Sequence, residues 1–353
     1  MIMIKKNVLL VVCLFSLSLV SCSGVTLLKK TYPESATFLL CSLRGNNRPL
    51  SNAERFGFFS SKLWEHYEEN LKAEIDVFGA TPGYILWYIQ IGEDFPLHVA
   101  EYNRELGIAT VINHDLKSDG FTPERNEQLL RAIVRGEWDD YFREFARKAR
   151  DLNVEVYYRF GYEMNGNWFP WAGKPKLFVD AWRHTWKLFK KEKANNVKWV
   201  FSPSVVWGQR NFKKDILPYY PGEQFVNIVA LDGYNFGDDH DKYHTWESFY
   251  HVYAGSVSGL MSFNKPMWIA EIGCPSDPRR QKWLRDFFDF FDNNNCFEVF
   301  FWFNENKSNE PNFRIDGDAA SLFIFREWAQ RINTPEGIER NVASVSDSPH
   351  RCT

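Results

Sequence analysis

Between about residues 37 and 332, short apolar runs alternate with longer stretches in which apolar residues recur every three or four positions. The runs at 37–41, 84–89, 108–113, 154–160, 197–202, 226–234, 267–273 and 297–303 are rich in β-branched and aromatic residues. That is the composition of parallel strands covered on both faces. In the stretch before residue 153, Trp138, Tyr141, Phe142, Phe145, Ala146, Ala149 and Leu152 share one helical face, with the charges opposite them. Phe178, Ala181, Trp182, Thr185 and Phe189 repeat the pattern, and a further helix is expected over 279–293. Eight strands, each followed by a helix, predict an α/β fold, a single-domain (β/α)8 TIM barrel. An open doubly wound sheet would want a Gly-rich nucleotide turn, and no strand ends in one.

The first 22 residues follow a different pattern. Lys5 and Lys6 precede an apolar run from Val8 to Val20, then Ser21 and Cys22. This reads as an export signal, and the run falls short of the roughly 20 residues that a membrane-spanning helix needs. Residues 19–22, LVSC, resemble the lipobox of bacterial lipoproteins. The resemblance implies cleavage before Cys22, lipid on its sulfur, and anchoring to a bacterial membrane at the cell envelope. The expected division is a signal peptide at 1–21, an anchor and short linker at 22–34, the barrel at 35–332 and a polar tail at 333–353. Cys13 leaves with the signal, so Cys41, Cys274, Cys296 and Cys352 remain, with three possible complete pairings. Export permits disulfides without selecting one pairing.

A formal net charge of −3 gives no basis for binding nucleic acid, which requires clustered cations. The 14 Trp residues suit either a core or the apolar faces of sugars, and composition does not separate the two uses.

In such a barrel the reacting groups sit where strands end. Glu163 follows the fourth predicted strand in RFGYEMNGNWFPW (159–171), and Glu271 lies in the seventh, MWIAEIG. Two carboxyl groups in different environments supply what glycosidic cleavage requires: a proton for the departing oxygen and a nucleophile for the anomeric carbon. A single Glu at a strand end is ordinarily a salt-bridge partner; the pair is what points to hydrolysis. Trp168 and Trp171 are expected to border the cleft. A metal-dependent alternative rests on Asp238, Asp239, His240, Asp241 and His244, which a solvated loop explains equally well. No metal and no cofactor is expected. A non-catalytic polysaccharide-binding lipoprotein would account for the tryptophans but would not need both carboxylates.

The RFGYEMNGNWFPW string resembles the acid/base motif of glycoside hydrolase family 26, which includes β-mannanases, mixed-linkage β-glucanases and β-1,3-xylanases. EWDDYFREFARKARDLNVEVYYRF, YYPGEQFVNIVALDGYNF, PMWIAEIG and NFRID are similar to that family in the same order, so the resemblance covers most of 35–332. It implies a retaining double displacement on a β-linked polysaccharide, with Glu163 as acid/base and Glu271 as nucleophile. The enzyme would most resemble an endo-acting β-mannanase, with mixed-linkage glucan, β-1,3-xylan or an exopolysaccharide as alternative substrates. Tyr234 matches the position that hydrogen-bonds the nucleophile, Trp302 the platform under the sugar at the cleavage point, and Trp168 a neighbouring sugar contact. His114 is expected either to reach the sugar or to be a buried structural histidine, and Arg159 to orient the acid/base side. One position departs from the pattern. Tyr162 stands where family mannanases carry His, next to the sugar's 2-hydroxyl, which leaves the identity of the sugar open.

Overall fold

A computed structural model describes residues 51–331, apart from 118–122, 207–209, 239–244, 295 and 309. The proposed signal, lipid-anchor Cys22, linker and polar tail therefore lie outside the described residues. Eight strands close a parallel barrel in sequence order. They are β1 (Phe56–Phe59), β2 (Tyr84–Gln90), β3 (Ala109–Asp115), β4 (Val156–Phe160), β5 (Val197–Phe201), β6 (Ile228–Tyr234), β7 (Met267–Gly273) and β8 (Val299–Phe303). Around them run α1 (Tyr67–Phe78), α2 (Leu97–Glu105), α3 (Pro123–Arg135), α4 (Asp139–Asp151), α5 (Pro175–Lys191), single-turn α6 (Phe212–Asp215), α7 (Phe249–Met261), α8 (Arg280–Asn293) and α9 (Ala319–Ala329).

Seven of the expected strands fall on observed ones. The first does not: the run at 37–41 lies outside the described residues, and Phe56–Phe59 closes the barrel between β8 and β2. This strand is only four residues long and contains Gly57, so it lacks the continuous apolar signal. The glycine is required by a close approach, since a Cβ at position 57 would lie 2.6 Å from the Phe301 ring and 2.8 Å from the Tyr84 carbonyl.

Side chains alternate between the barrel interior and the helical layer, as strand geometry dictates. Phe142, Phe145, Ala146 and Ala149 on α4, and Phe178, Ala181, Trp182 and Phe189 on α5, pack against the barrel's outer face as their spacing predicts. Inside, Tyr84, Tyr157, Trp268 and Phe301 meet with ring centroids 4.7–5.7 Å apart and fill the lower barrel. The polar inward positions therefore collect above this aromatic floor, at the C-terminal mouth.

Strand β7 breaks the alternation once. Leu231 pairs with Ile269 but the next residue, Asp232, pairs with Glu271; on the other side, Phe300 and Trp302 pair with Ile269 and Ile272. Both neighbours thus step over one extra residue in β7, a bulge around Ala270 and Glu271. Trp268 and Ala270 pack in the barrel interior, whereas Ile269 and Ile272 pack outside. Without the bulge, strict alternation would send residue 271 outward to the helices.

Of the cysteines, Cys274 is free and buried and Cys296 is disulfide-bonded.

Candidate active site

Aimed inward by the bulge, Glu271 is met by donors from four other strands. Its Oε1 accepts from the Tyr88 hydroxyl at 2.6 Å, Arg159 Nη1 at 2.9 Å and Asn113 Nδ2 at 3.3 Å. Its Oε2 accepts from the Tyr234 hydroxyl at 2.5 Å. One guanidinium and two phenols converge on this carboxylate and hold both oxygens in place. The expected contact from Tyr234 is therefore present.

Glu163 stands just beyond β4 and has φ of +49°, in the left-handed region that non-glycine residues seldom occupy. Its backbone is held there by its N–H donating to the Ser202 carbonyl at 2.8 Å. Asn165 secures the same loop, giving Nδ2 to the Ser204 carbonyl and accepting from the Ser204 N–H at 2.8 and 2.9 Å. Trp168 Nε1 donates to Glu163 Oε2 at 2.5 Å. Burial, and then the nearby Glu271 charge, push the Glu163 carboxyl up to about 8, against the opposing pull of the Trp168 donor and Arg159. The Glu163 carboxyl is thus kept protonated near neutral pH, beside a second carboxyl gripped by four donors.

Carboxylate oxygens of Glu163, Asp232 and Glu271 lie within 4.8 Å of one another. A metal ion is not the partner this arrangement suits, because a cation already bridges two of its three members. Arg159 gives Nη1 to Glu271 and Nη2 to Asp232 at 2.5 Å, and is itself fully buried. Ser202 Oγ also joins Asp232, at 2.8 Å. The expectation that Arg159 orients the acid/base side is corrected here. Arg159 points inward from β4, whereas Glu163 lies past the strand end, so the guanidinium fork engages Glu271 and Asp232 instead.

Above these residues opens a cleft of about 840 Å³ lined by Glu163, Glu271, Tyr162, Trp168, Tyr234 and Phe303, among others. Tyr162 packs over Arg159, whose guanidinium carbon is 5.0 Å from the ring centroid, and donates its hydroxyl to Asp115 Oδ1 at 2.7 Å. Lys117 pairs with the other Asp115 oxygen at 3.2 Å. Trp168 stays 44% exposed at the cleft edge, available to a ligand while holding Glu163.

Two aromatic expectations, for Trp302 and Trp171, are corrected, and the two alternatives for His114 are decided, in each case by the direction a side chain faces. Trp302 is fully buried on the outer face of β8, against Phe325 of α9, with Nε1 donating to the Phe313 carbonyl at 3.0 Å. Its inward neighbour Phe303 lines the cleft in its place. His114 likewise points outward from β3, stacked on Phe145 and hydrogen-bonded to the hydroxyls of Tyr158 and Tyr141 at 2.5 and 3.1 Å. Burial pushes its imidazole down to about 3, so it is a neutral structural histidine. Trp171 lies under the cleft wall, fully buried, its Nε1 bonded to the Tyr162 carbonyl at 2.7 Å. Of the residues proposed for metal, Asp238 pairs with Arg279 at 2.8 Å, and Asp239, His240, Asp241 and His244 lie outside the described residues.

Sequence reasoning missed Tyr88, Asn113, Asp115, Ser202 and Asp232. Each is a polar or phenolic residue at or near a strand's C-terminal end, and all but Ser202 sit within the strands at inward parity. Carrying the alternation to the end of every strand would have marked them.

Comparison with known proteins supplies relatives for this site. A model of glycosyl hydrolase family 26 matches residues 134–275, a segment that contains both glutamates. Endoglucanase H of Acetivibrio thermocellus is 30% identical over 204 residues, 55% of this chain and 22% of that protein. Mannan endo-1,4-beta-mannosidase A and B of Caldalkalibacillus mannanilyticus is 32% identical over 151 residues, 39% of this chain and 26% of the relative. The chain thus spans about a quarter of the length of these relatives. Among solved structures, a β-mannanase from Bacteroides ovatus superposes with a TM-score of 0.59 at 17% identity, covering 84% of this chain and 93% of the other. An endo-beta-1,4-mannanase double mutant from Cellulomonas fimi gives 0.58 at 17% identity over 84% and 74%. At such identities the structural likeness bears on the fold.

Proposed function

Starting from the match to glycosyl hydrolase family 26 over residues 134–275, we propose that the protein is a member of that family, a retaining glycoside hydrolase acting on a β-linked polysaccharide. The observation that carries this reading is the separation of the two catalytic carboxyls. One oxygen of each lies within 4.8 Å of an oxygen of the other, so the two carboxyls face the same small space, as a covalent double displacement asks of groups roughly 5–5.5 Å apart. An inverting enzyme needs roughly 6.5–9.5 Å, to leave room for water between them.

Glu163, protonated near neutral pH, donates to the departing glycosidic oxygen while Glu271 attacks the anomeric carbon. Attack neutralises Glu271, which removes the second-largest influence raising the Glu163 carboxyl. The proton affinity of Glu163 then falls, as its second role as general base toward water requires. Tyr88, Arg159 and Asn113 restrain one Glu271 oxygen, leaving the oxygen bonded by Tyr234 to face the sugar.

The substrate class we favour is a mannan-type β-glycan cut within the chain, by analogy with the mannosidase relatives. A β-glucan, such as mixed-linkage glucan, is the second reading, favoured by the endoglucanase relative and left open, along with xylan, by Tyr162. An export signal with lipid on Cys22 would hold the enzyme at the cell envelope, where polysaccharide is met.

Proton NMR of the earliest product is the test. A β-anomer formed first is the expected result, and initial α-anomer would overturn retention. Assays of residues 23–353 on mannan, mixed-linkage glucan and β-1,3-xylan assign the substrate, and Glu271→Ala is expected to abolish turnover on whichever is cut.

A further inference from the structure

Trp64 is the most exposed tryptophan among the described residues, at 57%, yet it belongs to the cleft that contains Glu271. It ends a 3-10 turn, Ser61–Trp64, that follows β1. That turn is tightly held. Ser61 gives its N–H and its hydroxyl to the two oxygens of Glu305 beyond β8, the hydroxyl at 2.9 Å. Lys62 pairs with the buried Glu74 at 3.3 Å and with Asp316 at 3.6 Å, while Leu63 is buried. A rigid turn that anchors three residues and leaves an indole in water gains no core packing from that indole. Phe323 on α9 is similarly exposed but does not line the cleft, so exposure alone is not the argument.

The indole continues an aromatic track to the reacting centre. Its ring lies 5.7 Å from Phe59, whose ring lies 4.6 Å from Tyr88, and the Tyr88 hydroxyl bonds Glu271. Trp168 stands elsewhere on the rim, on the β4 loop, bonded to the acid Glu163 that faces the leaving group. Under the hydrolase reading, contact with Glu163 puts Trp168 on the leaving-group side, and the track through Tyr88 to Glu271 puts Trp64 on the side of the sugar that becomes bound to Glu271.

We propose that Trp64 is the platform of a separate sugar-binding subsite, which stacks a pyranose ring of the same chain beyond the ring being cleaved, on the side away from the leaving group. The inference rests on the hydrolase reading for its direction, and its occupant is the substrate chain because the track is continuous with the catalytic cleft. A flat, rigid indole binds the apolar face of a pyranose with little loss of side-chain entropy.

The test uses Glu271→Ala protein, with and without Trp64→Ala or Trp64→Phe, titrated calorimetrically with β-1,4-mannohexaose, a mixed-linkage gluco-hexasaccharide and the corresponding disaccharides. Trp64→Ala is expected to weaken hexasaccharide binding about tenfold, as for one lost aromatic contact, and to leave disaccharide binding unchanged. Trp64→Phe is expected to retain most of the affinity. Equal loss at both lengths, or no loss, overturns the subsite. Absence of any hexasaccharide binding overturns it together with the polysaccharide reading. Parallel hydrolysis assays with Glu271 intact separate the two claims. Trp64-dependent binding without turnover sinks the hydrolase alone, whereas turnover unaffected by Trp64→Ala at every chain length sinks the subsite alone.

Discussion

Tyr88 and Glu271 meet across the barrel mouth, the phenol of β2 donating to the carboxylate of β7 at 2.6 Å. The pair joins strands that are not neighbours in the sheet. A hydrogen bond to a buried charge contributes roughly 1.5–3 kcal/mol. Tyr88→Phe keeps the ring that packs on Phe59 and Tyr162 and removes only this donor. It is expected to lower kcat/KM by about 10- to 100-fold with an unchanged circular dichroism spectrum. Full activity would show that the phenol is a packing residue.

The protonated Glu163 sets the alkaline limit of activity. Since the free enzyme must hold this proton to cleave the bond, kcat/KM is expected to fall as pH rises through about 8. Trp168 donates to the ionised form and so pulls the carboxyl down. Trp168→Phe removes that donor, raises the proton affinity of Glu163 and moves the alkaline limb to higher pH, whatever it does to substrate affinity. A limb that stays in place or moves down refutes the assignment.

Arg159 links Glu271 to Asp232 in a fully buried position. Arg159→Met would leave two buried carboxylates facing each other without their cation, at a cost of about 3–5 kcal/mol measurable by urea unfolding. Arg159→Lys keeps the charge but loses the fork, and is expected to recover stability more than activity. Because the guanidinium occupies the position between the carboxylates, EDTA is expected to leave turnover unchanged; loss of activity would reopen a metal role.

Trp302 and His114 face the helices, so substitutions there should act on stability. Trp302→Phe is expected to cost about 1–3 kcal/mol and leave KM within twofold of wild type. A large KM increase without destabilisation would return Trp302 to the sugar.

How much of this was legible in the chain differs between its parts. Strand and helix periodicity is local, carried by residues a few positions apart, and seven of eight strands with their barrel order follow from it. Glu163, Glu271, Tyr162 and Tyr234 were found because each lies in a distinctive string near a strand end. The first strand was not, because Gly57 trades apolar signal for room beside Phe301.

The facing of side chains was decided in three dimensions. Trp302 and His114 sit next to inward residues in sequence, and the closed barrel fixes which of the two alternating sets points in. Glu271 is the sharper case, since plain alternation turns it outward and only a bulge, visible when β6 and β8 are both paired with β7, turns it in. Local pattern names the carboxylates and the strands that carry them. Which neighbour surrounds each, Arg159 with Glu271 and Trp168 with Glu163, depends on contacts between residues far apart in the chain, and those exist only once the barrel has closed.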